Sequence, residues 1–169
     1  MVELKTMNLT QRIIKPEALD RFAIFNYMIG NTDWAVPNHH NTLILSQPFS
    51  ERPDLAMIVP FDFDYAGLVN AEYAVPVETL PIKTVRERLY LAVCRSEDSF
   101  KNDLREFSEK KDEFYRVIND FPYLKARSKK DMIDYLDSFY NEFDKRYTIV
   151  QKMLNDCRWF EERSNLKGQ

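Results

Sequence analysis

Two stretches decide the fold: Asn38-His39-His40-Asn41-Thr42-Leu43-Ile44-Leu45-Ser46, and Leu55-Ala56-Met57-Ile58-Val59-Pro60-Phe61-Asp62-Phe63-Asp64-Tyr65-Ala66-Gly67. Thr42 to Ser46 (TLILS) and Leu55 to Val59 (LAMIV) read as short strands beside turn-rich loops. The eight residues between them, QPFSERPD, suit a hairpin connection. A hairpin is antiparallel, so the start of its first strand lies beside the end of its second, with opposed Cα atoms about 4.5–5.5 Å apart. Asn41 immediately precedes the first strand, and Asp62 and Asp64 follow the second. The pairing therefore predicts one Asn and two carboxylates at the hairpin's open end.

Upstream, Pro16 suits a first helical position, and Glu17 falls in the first turn. The run Ala18 to Ile29 is apolar nearly all round, which predicts a buried helix ended by Gly30 and Asn31. Asp33 then reaches the hairpin mouth from the end of that helix. Residues 1–15 read as an extended or irregular lead-in.

Downstream the period turns helical. Thr84 and Glu87 have capping-box spacing, with Val85, Leu89 and Val93 on one face. Ser96, Glu97 and Asp98 open a second helix, whose stripe is Phe100, Leu104, Phe107, Phe114, Val117 and Ile118, stopped by Phe121-Pro122. Ser128 and Asp131 open a third, with Met132, Leu136, Phe139, Phe143, Tyr147, Val150, Leu154 and Cys157 in its stripe. The expectation is a mainly helical α+β fold with one short β-hairpin.

Composition bounds the rest. The chain has 169 residues, 44% hydrophobic and 30% charged, with only 3 Gly and a net charge of −3. That suits one helical core, with no basic field to recruit nucleic acid. No apolar run is long enough for a membrane span, and no signal peptide is visible, so a cytoplasmic location without a membrane partner is the default expectation. Cys94 and Cys157 lack metal-ligand spacing and fall on apolar helical positions, which reads as two buried free thiols. The basic run Lys125, Arg127, Lys129, Lys130 reads as a solvated loop and helix start.

Up to three carboxylates and an Asn at one mouth repel unless a cation joins them. The donors are hard oxygens, which suits Mg²⁺ or Mn²⁺ held partly through phosphates. Such a set serves phosphoryl transfer, in which one carboxylate orients the attacking hydroxyl while Asn and Asp hold the metal. Adjacent His39 and His40 do not face one ligand point, and a loop role fits them better. Asp33 on its own reads as a turn cap. Asp62 and Asp64 alternate with aromatic residues, which suggests partial burial.

The order of parts, a buried helix, Asp33, an Asn before a hairpin and Asp62 after it, resembles a protein-kinase-like C-terminal lobe. The segments GNTDW, HHN and PFDFDYAGLVN resemble an uncharacterised bacterial family distantly similar to the atypical CotH-type and HipA-type kinases. The resemblance rests on motifs over roughly residues 18–67 and on helical layout elsewhere. It implies a catalytic Asp33, metal ligands Asn41, Asp62 and Asp64, and Mg²⁺ or Mn²⁺ with ATP. Asn38, five residues after Asp33, competes with Asn41, eight after. Asn41 is preferred because it abuts the strand. Residues 16–169 would form the lobe and residues 1–15 a lead-in or inter-lobe linker. A nucleotide-gripping N-terminal lobe would be the partner, the chain alone would transfer little phosphate, and the phosphoryl acceptor is unknown. A non-catalytic helical binding module derived from such a lobe is the alternative expectation. A two-metal hydrolase is weaker, for lack of further His or Glu ligands.

Overall fold

The computed structural model describes residues 1–47, 56–143 and 148–166. The fold is α+β and divides into two compact units, residues 1–93 and 94–169.

The first unit is built on helix α1 (Pro16–Ile29), which begins at the predicted proline and ends at the predicted glycine. Gly30 closes it in the left-handed region, at φ 67° and ψ 34°, which glycine enters without the steric cost that a Cβ brings. The amide of Gly30 donates to Tyr27 O and that of Asn31 to Asn26 O, which satisfies the last carbonyls. Leu19, Phe22, Ala23, Ile24, Tyr27, Met28 and Ile29 are all buried, as a helix without a polar face requires.

Strand β2 (Thr42–Ser46) pairs antiparallel with β3 (Met57–Pro60), in the register Thr42 with Pro60, Leu43 with Val59, Ile44 with Ile58 and Leu45 with Met57. Leu55 and residues 48–54 of the predicted hairpin lie outside the described residues. The sheet has one strand more than a hairpin: β1 (Val2–Glu3), within the predicted lead-in, pairs with the other edge of β2. Ile44 and Ile58 are buried, and β3 packs on α1.

The helix expected from Thr84 does not form. Glu87 Oε1 accepts from the amides of Lys83 and Thr84, so the local capping signal produces a turn and nothing longer. Beyond it Leu89, Tyr90, Leu91 and Ala92 are buried consecutively in an irregular segment. This stretch finds its hydrogen-bond partners in one side chain. Gln11 donates through Nε2 to Leu91 O and accepts through Oε1 from Val93 N. Tertiary packing overrides the local signal here.

The second unit contains four helices among the described residues, where two were expected. Ser96 caps α2 (Glu97–Glu109) by accepting from the Ser99 amide, with Glu97 and Asp98 in the first turn. The helix then breaks at Lys110 (φ −96°, ψ 7°) before α3 (Lys111–Asp120). In an unbroken helix Phe107 and Phe114 would stand about 10 Å apart along the axis. The break stacks their rings at 6.0 Å. It also leaves Val117 71% exposed, outside the expected stripe. The last predicted helix is likewise two, α4 (Ala126–Tyr140) and α5 (Thr148–Leu166). Tyr147 of its expected stripe lies outside the described residues. On α5, Ile149, Val150, Met153, Leu154 and Cys157 recur on one buried face.

The cysteines are not free thiols. Cys94, in an irregular segment rather than a helix, is disulfide-bonded to Cys157 across 63 residues, with Cα atoms 5.0 Å apart. The spacing carried no signal because the pair closes a long-range contact between the start of the unit and its last helix. The Cys94 amide also donates to Glu161 Oε1, one turn beyond Cys157.

Candidate functional site

The site grows from the end of α1 through a relay of amides. Asn26, 1% exposed, donates through Nδ2 to Phe22 O at 2.8 Å. Its Oδ1 accepts from Asn31 Nδ2 at 2.8 Å, and Asn31 Oδ1 accepts from the Asp33 amide at 3.0 Å. Two buried amide side chains thus fix the backbone of Asp33 relative to the helix. The sequence signal was an Asn inside an apolar helix and a second Asn just past its glycine stop.

From Asp33 the chain makes a tight loop closed by paired bonds between Ala35 and His40, at 3.0 and 2.9 Å. The loop returns His40 and Asn41 to Asp33. His40 Nε2 donates to Asp33 Oδ1 at 2.7 Å. Asn41 Nδ2 donates both to Asp33 Oδ2 at 3.0 Å and to its main-chain oxygen at 2.9 Å. Asn38 is exposed on the loop, so of the two candidate asparagines it is Asn41 that meets Asp33. His39 donates to Thr6 O at 2.8 Å, a loop role that needs no metal. His40 is the residue missed in the sequence: it and His39 face different partners, and the doublet concealed this.

On the far side of the mouth the Phe61 amide donates to Asn41 O at 3.2 Å, one step beyond the β2–β3 ladder. Asp62 follows at φ 57°, and Asn41 itself sits at φ 51°. Both are left-handed, a conformation that Asn and Asp tolerate better than most residues and that is uncommon outside turns and functional sites. Asp62 is exposed rather than partly buried, because its left-handed backbone takes its side chain off the alternation of the flanking aromatics. Phe63 packs edge-on against Phe25 at 5.7 Å, anchoring the segment to α1. Asp64 is half-buried and accepts from the Tyr73 hydroxyl at 2.9 Å.

The carboxylates interact with one another. A hydrogen bond between the Asp62 and Asp64 carboxyls, then the charge of Asp64, raise the Asp62 carboxyl above its ordinary 3.8. The Asp33 charge adds a smaller push in the same direction, and the Asp64 amide works against it. The hydrogen bond to Asp64 also raises the Tyr73 hydroxyl. One mouth therefore holds Asp33, Asn41, Asp62 and Asp64, with enough crowded negative charge to favour retaining a proton.

The donor set suits a hard cation only in company. Among the described residues no three His, Cys, Asp or Glu side chains converge on a metal-ligand point. An amide oxygen and one or two carboxylates leave most of an octahedral shell to substrate oxygens, as Mg²⁺ sites on phosphates commonly do. No helix among the described residues is long and apolar enough to cross a membrane. No protein-family model, curated protein or solved structure matches the chain.

Proposed function

We propose that this mouth is the acceptor and metal end of a phosphotransferase of the atypical kinase type, and that the chain carries the catalytic-lobe portion of such an enzyme. One observation supports the reading above the others: Asn41 is hydrogen-bonded to Asp33 at the open end of a hairpin whose other strand delivers Asp62 and Asp64. That is the set of groups phosphoryl transfer asks of this half of a site.

Each residue has a chemical task in this reading. The Asp33 carboxylate has about four lone-pair positions, and His40 and Asn41 occupy one on each oxygen. The remaining capacity orients an acceptor hydroxyl and takes its proton. The Asn41 amide turns its nitrogen to Asp33 and leaves its carbonyl oxygen to a cation, beside the Asp62 and Asp64 carboxylates. When bound, Mg²⁺ or Mn²⁺ neutralises phosphate oxygens of ATP. Positioning and charge, rather than covalent chemistry, are what these side chains contribute.

A second reading, a binding module without catalysis, draws on the fact that both Asp33 oxygens already have internal donors. Titrating Mn²⁺ with ADP present, and following the free ion by electron paramagnetic resonance, separates the two. The phosphotransferase reading expects nucleotide-enhanced Mn²⁺ binding by the wild type and its loss in Asp62→Asn. Absence of binding, or equal binding by both proteins, would favour the second reading.

A further inference from the structure

The corner between α3 and α4 carries a surface the folding of the second unit does not explain. Phe121 is 49% and Tyr123 87% exposed, on a short connection containing Pro122. Residues 121–130 carry four cationic side chains, Lys125, Arg127, Lys129 and Lys130, and no carboxylate. The first turn of α4 holds no acidic residue and no side-chain cap, so these charges oppose the helix dipole instead of complementing it. Lys129 reaches Asn119 O and Lys130 pairs with Asp134, but the Lys125 and Arg127 side chains have no polar partner among the described residues.

The geometry points to this corner as a docking surface for an anionic lipid bilayer, with Phe121 and Tyr123 entering the headgroup boundary and Lys125 and Arg127 meeting lipid phosphates. Three features favour a bilayer over other polyanions. The two rings cross at 73°, so they present no shared platform on which bases could stack. Two aromatic side chains bury roughly 300–500 Å², short of the ~800 Å² per partner in a stable protein interface. An exposed aromatic pair followed directly in the chain by long basic side chains matches the layered apolar and anionic structure of a membrane surface. Surface association needs no spanning helix, so the lack of an apolar run does not bear on it.

The test is cosedimentation of the full chain with phosphatidylcholine vesicles, with and without phosphatidylserine. Binding is expected only with phosphatidylserine and should vanish at 1 M salt, where the screening length falls to about 3 Å. Each basic side chain near such a surface contributes about five-fold to partitioning, so Lys125→Gln with Arg127→Gln should lower it about 25-fold. Phe121→Ser with Tyr123→Ser should weaken it independently while the thermal transition stays in place, because both side chains are exposed. Failure to bind phosphatidylserine vesicles, or equal binding by wild type and both variants, would overturn the proposal. So would capture by heparin, single-stranded RNA or an acidic peptide while vesicles stay free, since the corner would then serve a macromolecular polyanion.

Discussion

Reducing the Cys94–Cys157 disulfide should remove about a third or more of the stability of the unit formed by residues 94–169. The bond closes a loop of 63 residues. Chain-entropy arithmetic for a loop of that length gives about 4 kcal/mol at 25 °C, inside the roughly 2–5 kcal/mol range for native disulfides. A unit of this size is expected to have only about 4–11 kcal/mol of stability in all. With a urea slope of roughly 1–2 kcal/mol/M, reduction should lower the unfolding midpoint by about 2–4 M. The assay is urea unfolding with and without a phosphine reductant, read by pulsed hydrogen exchange so that peptides from α2 to α5 report separately from α1. Mass analysis must confirm two free thiols in the reduced sample. Cys94→Ser with Cys157→Ser should reproduce the reduced curve. An unchanged midpoint for α5 peptides in fully reduced protein would refute the argument, because Cys157 is buried and Cys94 would then add nothing that packing does not already supply.

Three further outcomes follow from single side chains. Gln11→Ala removes the partner of both Leu91 O and Val93 N, and should cost about 2–3 kcal/mol in thermal or urea unfolding, since two buried or half-buried backbone groups lose their bonds. At Asn41, φ 51° favours Gly over a β-branched residue, so Asn41→Val should melt lower than Asn41→Gly by about 1–2 kcal/mol, although both lose the Asp33 contact. Because the Asp62 carboxyl is raised in the folded state, its protonated form is favoured there. Its contribution is present below the ordinary 3.8 and is lost as pH rises through the raised value. A carbon-13 NMR titration should show Asp62 moving down toward 3.8 in Asp64→Asn, and an unmoved Asp62 would remove Asp64 as the cause.

The parts of the fold legible in the sequence were those whose signals are local and agree with their surroundings. Pro16 and Gly30 bracket α1 because φ preferences at helix ends act without tertiary help. Thr42 to Ser46 reads as a strand from its short Leu-Ile-Leu centre between polar ends, although the buried positions are Thr42, Ile44 and Ser46 and Leu43 is exposed. Where local and global demands conflict, the local signal misled: Thr84 and Glu87 form their turn, but the Leu91 carbonyl and the Val93 amide bond to the Gln11 side chain instead of continuing a helix. The break at Lys110 has no Gly or Pro to mark it, and it is stacking of Phe107 on Phe114 that accompanies it. A disulfide spanning 63 residues leaves no periodic trace at all.

At the candidate site the hairpin argument was enough to bring Asn41 to the mouth, since strand polarity alone decides which residues share an open end. The position of His40 on Asp33 was not legible. It depends on the four-residue loop between Ala35 and His40, whose closure places alternate ring partners on opposite sides. The buried relay from Asn26 to Asn31 was equally hidden, because amides in an apolar helix more often satisfy their own turn than build a support for a neighbouring loop.

The central proposal is that Asn41, Asp62 and Asp64 hold a cation on phosphate oxygens beside Asp33. Paramagnetic broadening by substoichiometric Mn²⁺, with ADP present, tests it residue by residue in an amide-resolved NMR spectrum. The account predicts that the backbone signals of these four residues and the Asn41 side-chain amide broaden first, and that Asp62→Asn removes the effect. Broadening that reaches exposed helix carboxylates such as Glu97 and Asp98 to the same extent, or that survives Asp62→Asn, would contradict it.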